Sequence, residues 1–136
     1  MQLQELDAHR HTVTTRSGEI SYIDIGTGPA ALFVHGISTN AYLWRNVVSG
    51  LAGQRRCIAV DLPLHGRSPV TAEQDLSIAA LAAGLGDFCD ALGLTGIDLT
   101  RVVTVDGARL FFPEERPMDL VPYLEQHWAA AAAVRA

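Results

Sequence analysis

His35, Asp61, His65 and Ser68 are the residues whose types could carry acid–base or nucleophilic chemistry. A histidine beside a carboxylate can move protons near neutral pH, and a serine beside a base can attack an electrophilic carbon. Ser68 stands in Gly66-Arg67-Ser68-Pro69-Val70, which lacks the last glycine of a G-x-S-x-G nucleophile turn, so it is expected to stabilise a turn instead. His35 precedes Gly36 and is expected to order the loop that follows, and Asp61 to anchor its own turn. Asp98 and Asp106 read as strand-end and turn carboxylates. Cys57 and Cys89 lie in apolar runs without a close-spaced thiol or histidine, as buried small apolar residues do. His9, His11 and His127 lack metal-ligand spacing, so no metal and no cofactor are expected. All ten cationic side chains are arginine, and the missing lysine excludes Schiff-base chemistry and a phosphate-loop lysine.

Groups of this kind work only on a rigid scaffold. A threonine- and valine-rich stretch over 11–16, a short Ser17-Gly18 turn and the apolar run over 20–25 read as a β-hairpin. Ala30–Val34 is continuously apolar and too short for a helix, as in a strand buried on both faces. A helix is expected over 42–51 and a second buried strand over 57–60, making one βαβ unit. Ile78, Leu81, Leu85, Phe88 and Leu92 recur at spacings of three and four and set one apolar stripe on a helix over 75–92. Asp75 or Ser77 can cap its start and Gly93 its end. A β-branched strand over 97–105 follows. A last helix starts near Asp119, with Pro122 in its first turn and Leu120, Leu124 and Trp128 on its apolar side. The order predicts an α/β fold of three layers, α/β/α, with a mostly parallel sheet and an N-terminal antiparallel hairpin. Ligand sites in such sheets form beyond the carboxyl ends of the strands. His35, Gly36, Asp61 and His65 belong there.

The runs His35-Gly36-Ile37-Ser38-Thr39-Asn40-Ala41-Tyr42-Leu43-Trp44-Arg45-Asn46 and Asp61-Leu62-Pro63-Leu64-His65-Gly66-Arg67-Ser68 resemble the front half of α/β-hydrolases. The nearest branch is that of haloalkane dehalogenases and epoxide hydrolases. The resemblance implies that the Ile37 backbone N–H is half of an oxyanion or halide hole, with His35, Gly36, Asp61 and His65 as its supporting loops. Dehalogenases carry a halide-binding asparagine at that position, so Ile37 speaks against dehalogenation. The string 100–117 resembles the far end of the same family, and aligning Phe111-Phe112-Pro113 with it puts Leu110 where the catalytic histidine stands. The nucleophile elbow that should follow Gly96-Ile97-Asp98-Leu99 is missing. A shortened α/β-hydrolase fold is implied, with an internal truncation near Leu99/Thr100 and no catalytic residue identified. The chain is read as an extension over 1–10 and one domain over 11–136. That domain comprises a front half over 11–99, a strand, loop and helix over 100–128, and an alanine-rich tail over 129–136.

The implied parent activity is hydrolysis of small neutral organic substrates, an epoxide, a haloalkane or an ester, with this chain inactive alone. A non-catalytic remnant or binding module of the hydrolase fold is the alternative. A chain of 136 residues with 49% hydrophobic and 18% charged residues fits one domain with a core. A net charge of -5 speaks against nucleic acid and anionic membranes, because phosphate binding needs a clustered basic surface. No apolar run approaches the roughly 20 residues of a membrane span, and a cytoplasmic protein is expected. A sheet shortened in this way would keep an open edge, through which a homodimer is expected.

Overall fold

The computed structural model describes residues 1–97 and 117–135. The elements run α1 (Leu3–Asp7), β1 (Arg10–Thr15), β2 (Gly18–Ile25), β3 (Ala30–Val34), a 3-10 turn (Ala41–Trp44), α2 (Arg45–Leu51), β4 (Arg56–Val60), α3 (Ile78–Ala91) and α4 (Pro117–Arg135). The strand expected over 97–105 beyond its first residue, the Leu99/Thr100 junction, Asp98, Asp106 and Leu110 lie outside the described residues.

The strands form one sheet in the order β1-β2-β4-β3. β1 pairs antiparallel with β2, β2 antiparallel with β4, and β3 parallel with β4. The described sheet is therefore mixed, with the parallel ladder confined to the βαβ unit. Gly26, at φ +87°, permits the exit from β2: a Cβ there would stand 2.2 Å from the Arg55 carbonyl oxygen.

Helices cover both faces. One face carries α2 and α4 over Ile23, Ile25, Ala31, Phe33, Cys57 and Ala59. On it Trp44 stacks against Phe33 at 5.4 Å and Trp128 is 4% exposed. The other face carries Phe88 of α3 against Ile20, Tyr22, Ile58 and Val60. This alternation follows from the strand period of two, which sends Ile58 and Val60 to one side and Cys57 and Ala59 to the other.

The Ser77 side chain accepts the Ala80 N–H and caps α3, and Gly93 leaves that helix at φ +62°. The apolar stripe expected on α3 is only partly used. Phe88 is buried, whereas Ile78 at the first turn is 77% exposed. The last helix starts at Pro117, two residues before the expected start. A proline at the first helical position loses no intrahelical bond, because that N–H would be unpaired anyway. Pro122 accordingly falls in the second turn and leaves the Met118 carbonyl without its i+4 donor. Burial of Val121, Leu124 and Trp128 against the α2 face offsets that loss. Within residues 1–10, α1 inserts Leu6 into the core at 1% exposure, while Met1–Glu5, Ala8 and His9 are exposed.

Candidate functional site

The parallel register pairs Val34 with Val60. The next residues, His35 and Asp61, therefore emerge side by side at one end of the sheet, as expected for the carboxyl ends of parallel strands. Asp61 is fully buried. Its Oδ1 accepts the Ala41 N–H at 2.7 Å, and its Oδ2 accepts the Arg67 N–H at 3.0 Å and Arg10 Nη1 at 2.8 Å. Its own N–H donates to the Ser21 carbonyl at 2.9 Å. A buried carboxylate needs this set of partners to stay charged. Gly66 makes room for it, because a Cβ at that position, φ +55°, would lie 2.2 Å from the Asp61 carboxyl carbon.

His35 is 4% exposed. Its Nδ1 lies 2.7 Å from the Gly36 carbonyl oxygen and its Nε2 accepts the Leu62 N–H at 3.0 Å. A carbonyl can only accept and an amide can only donate, so the ring is the neutral Nδ1–H tautomer. Burial pushes its pKa below the ordinary histidine value, with His65 adding to the effect and the Gly36 carbonyl and Asp61 opposing it. The His35 and His65 rings are 5.0 Å apart, and His65 Nδ1 meets the Pro63 carbonyl at 3.0 Å. Among the described residues His35 and His65 do not pair with Asp61, which is held by Arg10 and two backbone amides. Ser68 Oγ donates to the Asp61 carbonyl at 2.6 Å and accepts the Ser21 N–H at 2.8 Å. The hydroxyl thus ties β2 to the turn after β4.

Ile37 is the contrast, with 82% exposure, followed by Ser38 at φ +69°. Among the described residues its N–H meets no acceptor. Farther along the same loop, the Asn40 side chain accepts the Tyr42 N–H and starts the 3-10 turn. A shallow cavity of about 230 Å3 opens beside the loop, lined by Ser38, Thr39, Asn40, Leu43, Arg45 and Leu3 together with Tyr42.

Three residues behind this end of the sheet escaped the sequence reading. Arg10 donates through Nε to Asp7 at 2.9 Å and through Nη1 to Asp61 and to Ser21 Oγ. Asp7 also accepts Tyr42 Oη at 2.6 Å and Arg67 Nη2 at 2.8 Å. The Tyr42 hydroxyl, and after it Arg10, hold the Asp7 carboxyl below its usual range. The i,i+3 spacing of Asp7 and Arg10 was the only local signal, and it does not point to Asp61. Burial pushes the Cys57 thiol up to about 12 and also raises Cys89, so both remain protonated near neutral pH. Among the described residues no group of three or more histidine, cysteine, aspartate or glutamate side chains could hold a metal ion, and no helix is long and apolar enough to cross a membrane.

Residues 29–99, just over half of the chain, match the model of the alpha/beta hydrolase fold. The chain belongs to that family. The matched span contains both loops and ends at Leu99. Haloalkane dehalogenase 2 of Mycobacterium tuberculosis is 38% identical over 77 residues, which are 57% of this chain and 27% of that protein. The magnesium-chelatase 30 kDa subunit of Rhodobacter capsulatus is 34% identical over 84 residues, 59% of this chain and 30% of that one. An epoxide hydrolase structure from an endophytic Streptomyces superimposes with a TM-score of 0.57 at 35% identity, covering 62% of this chain and 26% of the other. This α/β-hydrolase chain is thus related to haloalkane dehalogenases and epoxide hydrolases, and its match spans under a third of each relative's length. The chelatase subunit shows that the front segment is shared by proteins of differing names.

Proposed function

We propose that this chain is the front of an α/β-hydrolase whose parent reaction is hydrolysis of a small neutral organic substrate, an epoxide, a haloalkane or an ester. In this reading the Ile37 N–H is one of two backbone donors for a developing anion, and the chain alone does not turn substrate over. The observation that carries it is the contrast between the exposed Ile37, whose N–H meets no acceptor among the described residues, and the full engagement of His35, Asp61 and Ser68 in holding loops. Removing nucleophile and base together leaves little of such a mechanism, because these groups act as a unit. Leu110, outside the described residues, stands where the family base is expected. The same engagement favours a second reading, a non-catalytic remnant or binding module of the hydrolase fold.

A chromogenic acyl ester, an epoxide panel and a haloalkane panel separate the two. No turnover above buffer is expected for the isolated chain. Turnover that Ile37→Pro abolishes would instead make the chain a working hydrolase, since proline removes the N–H.

The rest of the reading is a cytoplasmic chain without cofactor or nucleic-acid partner. It pairs as a homodimer through an open sheet edge, and among the described residues β3 has a strand on one side only. Light scattering tests the dimer, and a monomer with a cooperative melt would contradict it.

A further inference from the structure

The His35 ring joins the loop after β3 to the turn after β4, and it does so through a lone pair. Nδ1–H is spent on the Gly36 carbonyl, and the Nε2 lone pair is the acceptor of the Leu62 N–H. A proton on Nε2 would set donor against donor across 3.0 Å, and among the described residues the buried ring makes its only other hydrogen bond through Nδ1, to the Gly36 carbonyl. We propose that His35 is an acid-released clasp: protonation of its imidazole parts the 35–40 loop from the 61–68 turn while the sheet beneath stays folded.

The groups around the ring favour release. His65, from the turn after β4, lies 5.0 Å away, so a second imidazolium would add repulsion. Asp61, at the end of β4, is a carboxylate that favours the cation. Both its oxygens are taken by the Ala41 and Arg67 amides and by Arg10 of β1, so it has little to offer a cationic His35. Arg10 itself brings positive charge to the same side. The sheet beneath does not depend on the ring, since Ile58 and Ala59 are buried and laddered on both sides by β2 and β3.

The pH window follows from the direction of the shift. Burial lowers the histidine pKa in the closed state. Above the ordinary value of about 6.5 the ring is neutral whether closed or open, and the clasp holds. Below it the open state binds the proton more tightly, so closure weakens as the pH falls towards the native-state pKa and stays weak beneath it.

Amide hydrogen exchange on the full 136-residue chain between pH 7.5 and 5 reads this directly. After correction for the intrinsic rate, protection at Leu62 should fall about tenfold per pH unit between the ordinary histidine range and the native-state pKa. Ile58 and Ala59 should keep theirs. His65→Gln should preserve the response, and His35→Gln, which offers Leu62 an amide oxygen that does not titrate, should abolish it. Overturning results are protection at Leu62 that is independent of pH, loss shared equally by Ile58 and Ala59, or a response that vanishes in His65→Gln or persists in His35→Gln. Should His35→Gln fail to fold, the native chain and His65→Gln decide the matter.

Discussion

Two loops leave the parallel pair β3 and β4 from adjacent positions, Val34 and Val60, and they come to opposite ends. The turn over 61–68 is closed on itself. Asp61 is fully buried with three side-chain bonds, Ser68 is tied to β2, and Gly66 sits where no side chain fits. The loop over 35–40 is held only at its ends, by His35 and by the Ala41 amide, and its middle stands in solvent with Ile37 82% exposed. His35, Asp61 and Ser68, which look catalytic by type, are consumed in fastening the loops, whereas Ile37 is exposed and its N–H meets no acceptor among the described residues. Residue type alone, without partners, misjudges which loop can act.

The hardest test of this contrast is Asp61→Ala. It strips Arg10, 9% exposed, of one of its two carboxylate partners and leaves the Ala41 and Arg67 amides without their acceptor. Losing one partner of a buried charged pair costs about 3–5 kcal/mol, so the unfolding free energy from urea denaturation should drop by that amount or the chain should fail to fold. A loss under about 1 kcal/mol would mean that the closed turn is not closed. Gly66→Ala comes next. A left-handed backbone costs an L-residue about 1–2 kcal/mol, and the added Cβ drives into the Asp61 carboxylate. Equilibrium unfolding should show a loss of at least about 2 kcal/mol. The equivalent change in the other loop, Gly36→Ala, meets no atom within 4 Å and should cost less than about 1 kcal/mol. Equal costs at Gly36 and Gly66 would erase the comparison.

How much of this was legible in the sequence depends on the range of the interactions involved. Ala30–Val34 was readable as a strand because its apolar run is too short for a helix, although only Ala31 and Phe33 are buried and the others partly so, and α3 was readable because its apolar spacing is local. Burial along α3 was not readable: Ile78 obeys the helical period, but the sheet it would cover does not reach it. The side chain of Ser77, one residue earlier, shows its cap plainly because capping needs only the next turn. The brace behind the site was hidden for the opposite reason. Arg10 and Asp61 are 51 positions apart and Asp7 and Arg67 are 60 apart, so neither pair leaves a spacing signal. The family resemblance of the two loops points to Ile37 as the proposed donor where residue chemistry could not, since a group proposed to act through its amide has no side-chain signature.

The smallest effect is the most discriminating for the open loop. Ile37→Ala removes a large apolar side chain, which in a core would cost about 2–5 kcal/mol. At 82% exposure that side chain has given up little water and has few contacts to lose. Thermal and urea unfolding should therefore agree with the parent chain to within about 0.5 kcal/mol, and the exchange protection of Leu62 should be unchanged, because the His35 clasp lies on the other side of Gly36. A cost above about 1 kcal/mol would show that Ile37 is packed against something. The 35–40 loop would then be fastened like its neighbour, and the contrast between the two loops would be lost.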